Sequence, residues 1–267
     1  MPYRHANYWI AFTIVIIIWG FWGSYFNSEH TVPIAFHVHA ISALVWLGLL
    51  MVQIWSINNN KRHWHKSLGK VSFSLFPILI VGFVMIVDYA AEQAIMPDNS
   101  RGSFLGPSFG FSMLVAIIAY LTVYYLALKH RRNIRLHAGY MLTTPLILFE
   151  SPFARILPDI VPLATITGSS YPQIILDSIA ISMLLSALFG IVLYFWLKPH
   201  STPFLIAALF LIAESITMYY LPKYEWVREA FYAYATIPTE LTVTCGFLAG
   251  VAIVYFGWKA NNSVKCY

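Results

Sequence analysis

The sequence predicts an all-α, polytopic bundle of about eight transmembrane helices, N-in and C-in. Three features predict it: the scarcity of charge, the spacing of the apolar runs, and the alternation of basic and acidic loops. Of 267 residues, 59% are hydrophobic and only 10% are charged. A soluble domain of this length carries about 25% charged residues. This chain has too few to clothe a soluble core, so lipid is its solvent. Its 9 Trp, 17 Tyr and 19 Phe suit two membrane–water interfaces, where amphipathic rings settle at headgroup level.

A helix needs about 20 apolar residues to cross the hydrocarbon core. Eight segments qualify: 8–26, 34–56, 69–90, 108–128, 137–157, 174–197, 203–221 and 241–258. The first has one Arg and then a long apolar run through Trp19, Trp22 and Tyr25, without a small-x-small cleavage pattern. It reads as a retained helix and not as a removed signal peptide. No soluble domain, low-complexity tract or repeat interrupts the series, so residues 1–267 form a single integral membrane domain.

The loops set the orientation. The segment 58–70 holds Lys61, Arg62, Lys66 and Lys70, and the segment 129–135 holds Lys129, Arg131, Arg132 and Arg135, both without an acid. Arg4, Lys198, Lys259 and Lys265 fall on the same side once the crossings are counted. Every Asp and Glu lies in an opposite loop or within a span. By the positive-inside rule the basic side is cytoplasmic, in a cell membrane of the bacterial inner-membrane type. The net charge of +5 is thereby assigned to topology and excludes a nucleic-acid reading. The lipid bilayer is the implied partner, and other membrane subunits are compatible with it.

Four smaller features complete the organisation. The loop 222–239 sets Tyr224, Trp226, Phe231, Tyr232 and Tyr234 among Lys223, Glu225, Arg228 and Glu229, the pattern of a short amphipathic helix on the outer interface. A substrate lid is the alternative. Gly246 and Gly250 permit close helix approach within one subunit. Gly102 and Gly106 read as a turn in an outer loop. Cys245, in an apolar segment, and Cys266, in the tail, form neither a metal pair nor a disulfide framework.

Ionisable groups inside a membrane segment are expensive and mark functional sites by default. The outer half holds His37 and His39, Asp88, Glu150 and Arg155, Asp177, Glu214 and Glu240, with Glu150 and Glu214 the deepest. His39, Ser42, Trp46 and Gln53 share one helix face and make a polar stripe looking into the bundle. His37, two residues from His39, points to nearly the opposite side. His39, Glu150 and Glu214 are therefore the expected outer polar or metal site, with Arg155 as counter-ion and Asp177 alongside. The bland alternative pairs Glu150 with Arg155 and leaves the rest wetted at the rim.

On the inner side stand His63, His65, His130 and His137. A bis-His haem b needs two imidazoles at one depth on different helices. His65 and His137 open two helices that start at the same face, so they are the expected axial or metal ligands. The alternative is that they are loop histidines contacting headgroups. No phosphate-binding Gly-rich loop or nucleophile elbow is present.

Two segments carry a family likeness. His65-Lys66-Ser67-Leu68-Gly69-Lys70 resembles a His-Arg-x-x-Gly-Arg pattern, with Lys replacing Arg twice. His137-Ala138-Gly139-Tyr140-Met141-Leu142-Thr143 resembles a His-x-x-x-Met element that leads into Arg155-Ile156-Leu157-Pro158. Both are similar to a bacterial membrane-protein family catalogued as domain of unknown function 2306. The likeness covers about residues 34–158 and lacks the Arg or Ser-Tyr run usual after the Met. It implies a bundle of membrane helices with no established activity, and singles out His65, His137 and Arg155.

Three functional classes follow. The first is a membrane-embedded redox, haem- or metal-binding protein using His65 and His137. The second is a small proton-coupled transporter in which Glu150, Asp177 and Glu214 line a path, with Arg155 as counter-ion. The third is an assembly or sensory subunit whose polar groups only pair with one another. The first requires His65 and His137 to converge on one centre, and the second requires the acids to line a continuous cavity.

Overall fold

A computed structural model of the chain describes Tyr3 and residues 5–260. Arg4, Lys265 and Cys266 lie outside the described residues. Every regular element among those described is helical. In chain order they are α1 Ala6–Gly20, a π turn Trp22–Phe26, α2 Ile34–Asn58, α3 Arg62–Ile95, α4 Ser100–Lys129 and α5 Ile134–Ile160. Then come α6 Leu163–Thr167, α7 Gln173–Trp196, α8 Thr202–Tyr220 with a 3-10 turn Leu221–Lys223, α9 Glu225–Tyr234 and α10 Thr239–Ala260.

Six helices are long and apolar enough to cross a membrane: α2, α3, α4, α7, α8 with its 3-10 extension, and α10. The other two expected spans differ for physical reasons. α1 ends after 15 residues, where Gly20 crosses the backbone of Pro152 too closely to admit a Cβ. The chain then continues as the π turn. α5 is 27 residues long but contains Pro145, Pro152 and Pro158, and Glu150, Arg155 and Asp159 break its apolar run.

Two loop expectations are corrected. Gly102 and Gly106 are not in a turn but in the first turns of α4. Asn99 caps that helix by accepting from the Gly102 N–H at 2.8 Å, which starts it at Ser100, well before residue 108. A Cβ on Gly106 would stand 2.7 Å from that of Ala94, so the glycines let α4 press on α3. Likewise Lys66 and Lys70 lie on α3 itself, which begins at Arg62.

α4 and α5 are the hub. α4 packs on α3, α5, α8 and α10, while α5 packs on α1, α4, α7 and α8. The core between them holds Trp46, Phe76, Tyr120, Tyr124, Leu146 and Leu211. Two glycines of α10 face α3: a Cβ would come within 2.7 Å of Val84 Cγ2 from Gly246 and of Pro77 Cα from Gly250. Small residues thus bring two helices of one subunit together.

α9 is the amphipathic segment 222–239 foresaw. Val227 and Phe231 are buried while Tyr224 and Trp226 are exposed, and Phe231 lies against Gly110 of α4. The Tyr234 hydroxyl donates to Asp88, and the Thr242 hydroxyl donates to the other Asp88 oxygen at 2.7 Å. One buried carboxylate therefore pins α9 and α10 to α3.

Candidate functional site

A cavity of about 780 Å³ opens at the end of the bundle opposite the basic loops. It exists because α1 stops early. The π turn and the irregular segment 27–33 replace further helix, and Pro33 begins α2 only afterwards. The walls come from this segment and from α2, α3, α4 and α5. None of residues 222–239 contributes to the lining, so α9 is not a lid over this cavity.

The inner end of the cavity is held by hydrogen bonds between three helices. Pro145 lacks an N–H, which leaves the Met141 carbonyl to accept from the Thr144 hydroxyl at 2.8 Å. The Thr144 oxygen accepts in turn from Trp46 Nε1 of α2 at 2.9 Å. The Thr144 carbonyl accepts from the Tyr120 hydroxyl of α4 at 2.6 Å. A proline in α5 is thus converted into a tie between α2, α4 and α5, and Tyr120 is both part of the tie and part of the cavity wall.

His39, Glu150 and Arg155 line the cavity. The polar stripe of α2 faces inward as its spacing requires. Gly82 of α3 lets His39 and Ser42 approach, since a Cβ there would stand 2.8 Å from His39 Cα and 3.1 Å from Ser42 Oγ. The His39 ring meets Phe83 edge-on at 4.8 Å. Its Nδ1, Oε2 of Glu150 and Oε1 of Glu214 are all buried without a hydrogen-bond partner among the described residues. Native interiors hold few such groups, and each calls for an explanation. Glu214 lies on α8, 1% exposed, and α8 packs on α5, which carries Glu150.

These groups do not make a metal site. Among the described residues no three His, Cys, Asp or Glu side chains come together as a metal-holding group. The expected ligand set His39, Glu150 and Glu214 is spread over α2, α5 and α8 and does not assemble. The pairing of Glu150 with Arg155 does not form either. Arg155 Nη1 donates instead to the Ser151 carbonyl at 2.9 Å and the Ser151 hydroxyl at 3.0 Å. Its guanidinium lies 4.2 Å from the centre of the Phe21 ring. Residues four apart share a helix face and residues five apart do not, so Ser151 and not Glu150 is its partner.

Asp177 is satisfied elsewhere. Asp177 accepts from Gln173 at 2.9 Å and from the Tyr219 hydroxyl, away from the cavity lining. His37 bonds through Nδ1 with the Tyr25 hydroxyl at 2.8 Å, at the rim. Glu240 is exposed at the start of α10. Sequence reasoning missed Tyr25, Glu29, His30, Tyr89, Arg101 and Ser151, all of which line the cavity. Arg101 carried a signal, being a base on the acid-bearing side of the chain.

At the basic end, the His65 and His137 rings stand 6.4 Å apart at 84°. His137 Nδ1 bonds with the Ala127 carbonyl at 2.9 Å; since a carbonyl only accepts, Nδ1 carries the proton. The Gln53 amide, with its oxygen and nitrogen oriented by the Gly69 N–H and the His65 carbonyl, donates to His65 Nδ1. The last residue of the α2 stripe therefore holds the second imidazole of α3. His130 stacks on Tyr140, and His63 meets Trp64.

Comparison with protein-family models, with curated proteins and with solved structures finds none that matches this chain.

Proposed function

We propose that the chain is an integral protein of a bacterial-type inner membrane, one domain crossing eight times with both termini cytoplasmic. Six helices support this by length and apolarity. α1 and α5 complete the count: α1 continues through the π turn to Phe26, and α5 passes through the bundle between α1, α4, α7 and α8. The basic loops gather at one end, where Arg131 lies 4.1 Å over the ring of Trp258, and that end is cytoplasmic under the positive-inside rule. The likeness to the domain of unknown function 2306 over residues 34–158 belongs to this proposal, its marked residues lying on α3 and α5.

Its activity, on this reading, is that of a small proton-coupled permease. The observation that carries it is a cavity of ligand size whose wall includes Glu150, with Glu214 behind it and an unpartnered carboxyl oxygen on each. A buried carboxyl that exchanges a proton as solute enters has use for such an oxygen. A merely structural acid, as Asp88 and Asp177 demonstrate, acquires hydroxyl donors. Of the three acids expected to line the path only Glu150 does: Glu214 is buried outside the lining and Asp177 drops out. The test is reconstitution into vesicles containing a pH dye, with small organic solutes applied as outward and inward gradients. Solute-driven proton movement that reverses with the gradient is the expected result. Vesicles that move no proton with any cavity-sized solute would sink the reading.

A second reading is favoured by the basic end. Two imidazoles from different helices face one another, and the His137 Nδ1–H on the Ala127 carbonyl leaves its Nε2 an acceptor, the arrangement that orients an imidazole for a metal ion or haem b. His65, whose Nδ1 accepts from Gln53, would have to give up that bond to join it. Oxidised and dithionite-reduced spectra with metal analysis separate the readings. A Soret band lost in His65→Ala and His137→Ala establishes haem there; colourless, metal-free protein from haem-supplied cells removes it.

A further inference from the structure

Within the permease reading, we infer that the cavity selects a monoanionic carboxylate with an apolar body, seated on Arg155 and accompanied by one proton. Arg155 makes two hydrogen bonds among the described residues, both from Nη1 and both to Ser151. Its face rests on Phe21. These partners are neutral, and among the described residues no carboxylate pairs with it.

A guanidinium has five N–H donors in a rigid fork. With Nη1 spent on Ser151, the Nε and Nη2 donors remain, and the residue lies on the cavity wall. A fork fixed on two sides is preorganised for two parallel bonds to one carboxylate. Lysine, a point charge on a flexible stem, cannot reproduce that geometry. A second cation, Arg101, stands at the same cavity and rests over Tyr171 at 5.4 Å.

The rest of the wall states what the other end of the ligand is. Phe36, Phe83, Met113, Ile147 and Leu148 present apolar surface, suited to a hydrocarbon or aromatic body. Glu150 on the same wall opposes a doubly charged head such as phosphate, and Glu29 in the same lining adds to that opposition, while His30 and His39 also face the cavity. When Glu150 is protonated its share of the opposition is lifted, so anion and proton enter together and no net charge crosses the membrane. The covalent ledger is empty: one proton is taken up and released, and no bond of the ligand is broken.

Three probes with one body and different heads test this: 4-phenylbutyrate, 4-phenylbutanol and 4-phenylbutylamine, titrated calorimetrically into the purified full chain in nanodiscs. The carboxylate is expected to bind at least about tenfold tighter than the alcohol, and the amine more weakly than either. Arg155→Gln should reduce the carboxylate to the level of the alcohol, and Arg155→Lys should recover little of the loss. A thermal unfolding midpoint unchanged in both variants reports that they are folded. Equal affinity for carboxylate and alcohol, preference for the amine, or insensitivity to Arg155→Gln overturns the inference. The vesicle assay distinguishes this failure from that of the permease. If the amine or alcohol moves protons, coupling stands and the anion assignment falls. If the carboxylate binds through Arg155 and no proton moves, the site stands and the permease falls.

Discussion

Glu150→Gln will abolish the pH dependence of solute binding in the cavity, and Glu214→Gln will not. If one proton is bound with the solute, the apparent affinity falls about tenfold for each pH unit above the titration of the group that carries it. Between two buffers two units apart the native chain should then lose up to about 100-fold in affinity by the same linkage. Gln keeps the size and polarity of Glu150 while removing the titration, so its affinity should stay level across the range. Glu214 is sealed behind the wall and does not line the cavity. Its substitution should spare the binding step, with its pH slope, and stop proton-coupled flux in vesicles by removing the next proton acceptor. Titrations at three pH values on the native chain and both variants check this. A slope that survives Glu150→Gln assigns the proton elsewhere and removes Glu150 from the mechanism.

The two acids were legible because cost made them so. A carboxyl in the middle of an apolar run needs a reason, and among the acids the depth in the run ranked Glu150 and Glu214 first. The inward face of α2 was legible from the helical period alone, which put His39, Ser42, Trp46 and Gln53 on one side. The cavity was not legible, because it depends on where α1 stops. That stop is set by a crossing between Gly20 and Pro152, 132 positions apart in the chain, and no local pattern records it. The same holds for the start of α4. Gly102 and Gly106 look like turn residues in sequence, and only the facing Ala94 and Gln93 make them packing residues.

Arg155 shows a third kind of difficulty. Glu150 on the same span suggested a neutral pair, yet the spacing of five already argued against it, and Ser151 four residues away was an available partner. The acids that did find partners found them at long range: Asp88 on α3 in Tyr234 and Thr242, Asp177 in Tyr219. Depth in the membrane therefore flags a carboxyl as significant without separating structural acids from those left unpaired. Only the hydroxyls that the fold brings to them make that division.

Trp46→Ala is expected to cause the largest loss of stability of any single substitution in the bundle. Trp46 is fully buried, its ring 5.8 Å from Phe76 and 5.5 Å from Tyr124, with its N–H on Thr144 at 2.9 Å. In water such a truncation costs about 3–5 kcal/mol, part of it for transfer and part for the cavity left behind. In a bilayer the transfer part shrinks, because lipid is as apolar as the core and helix association rests on packing and hydrogen bonds. The expected loss is therefore near the lower end, about 3 kcal/mol. Trp46→Phe should lose only about 1 kcal/mol, chiefly the N–H bond to Thr144. The substitution also bears on the cavity. Thr144 is held from one side by Trp46 and from the other by Tyr120, so freeing the first loosens the second, which is part of the wall. Thermal unfolding in detergent measures the stability difference, and solute titration on the folded fraction measures the wall. Destabilisation with affinity intact would mean that Tyr120 is positioned by α4 alone and that the Thr144 tie serves the fold without serving the site.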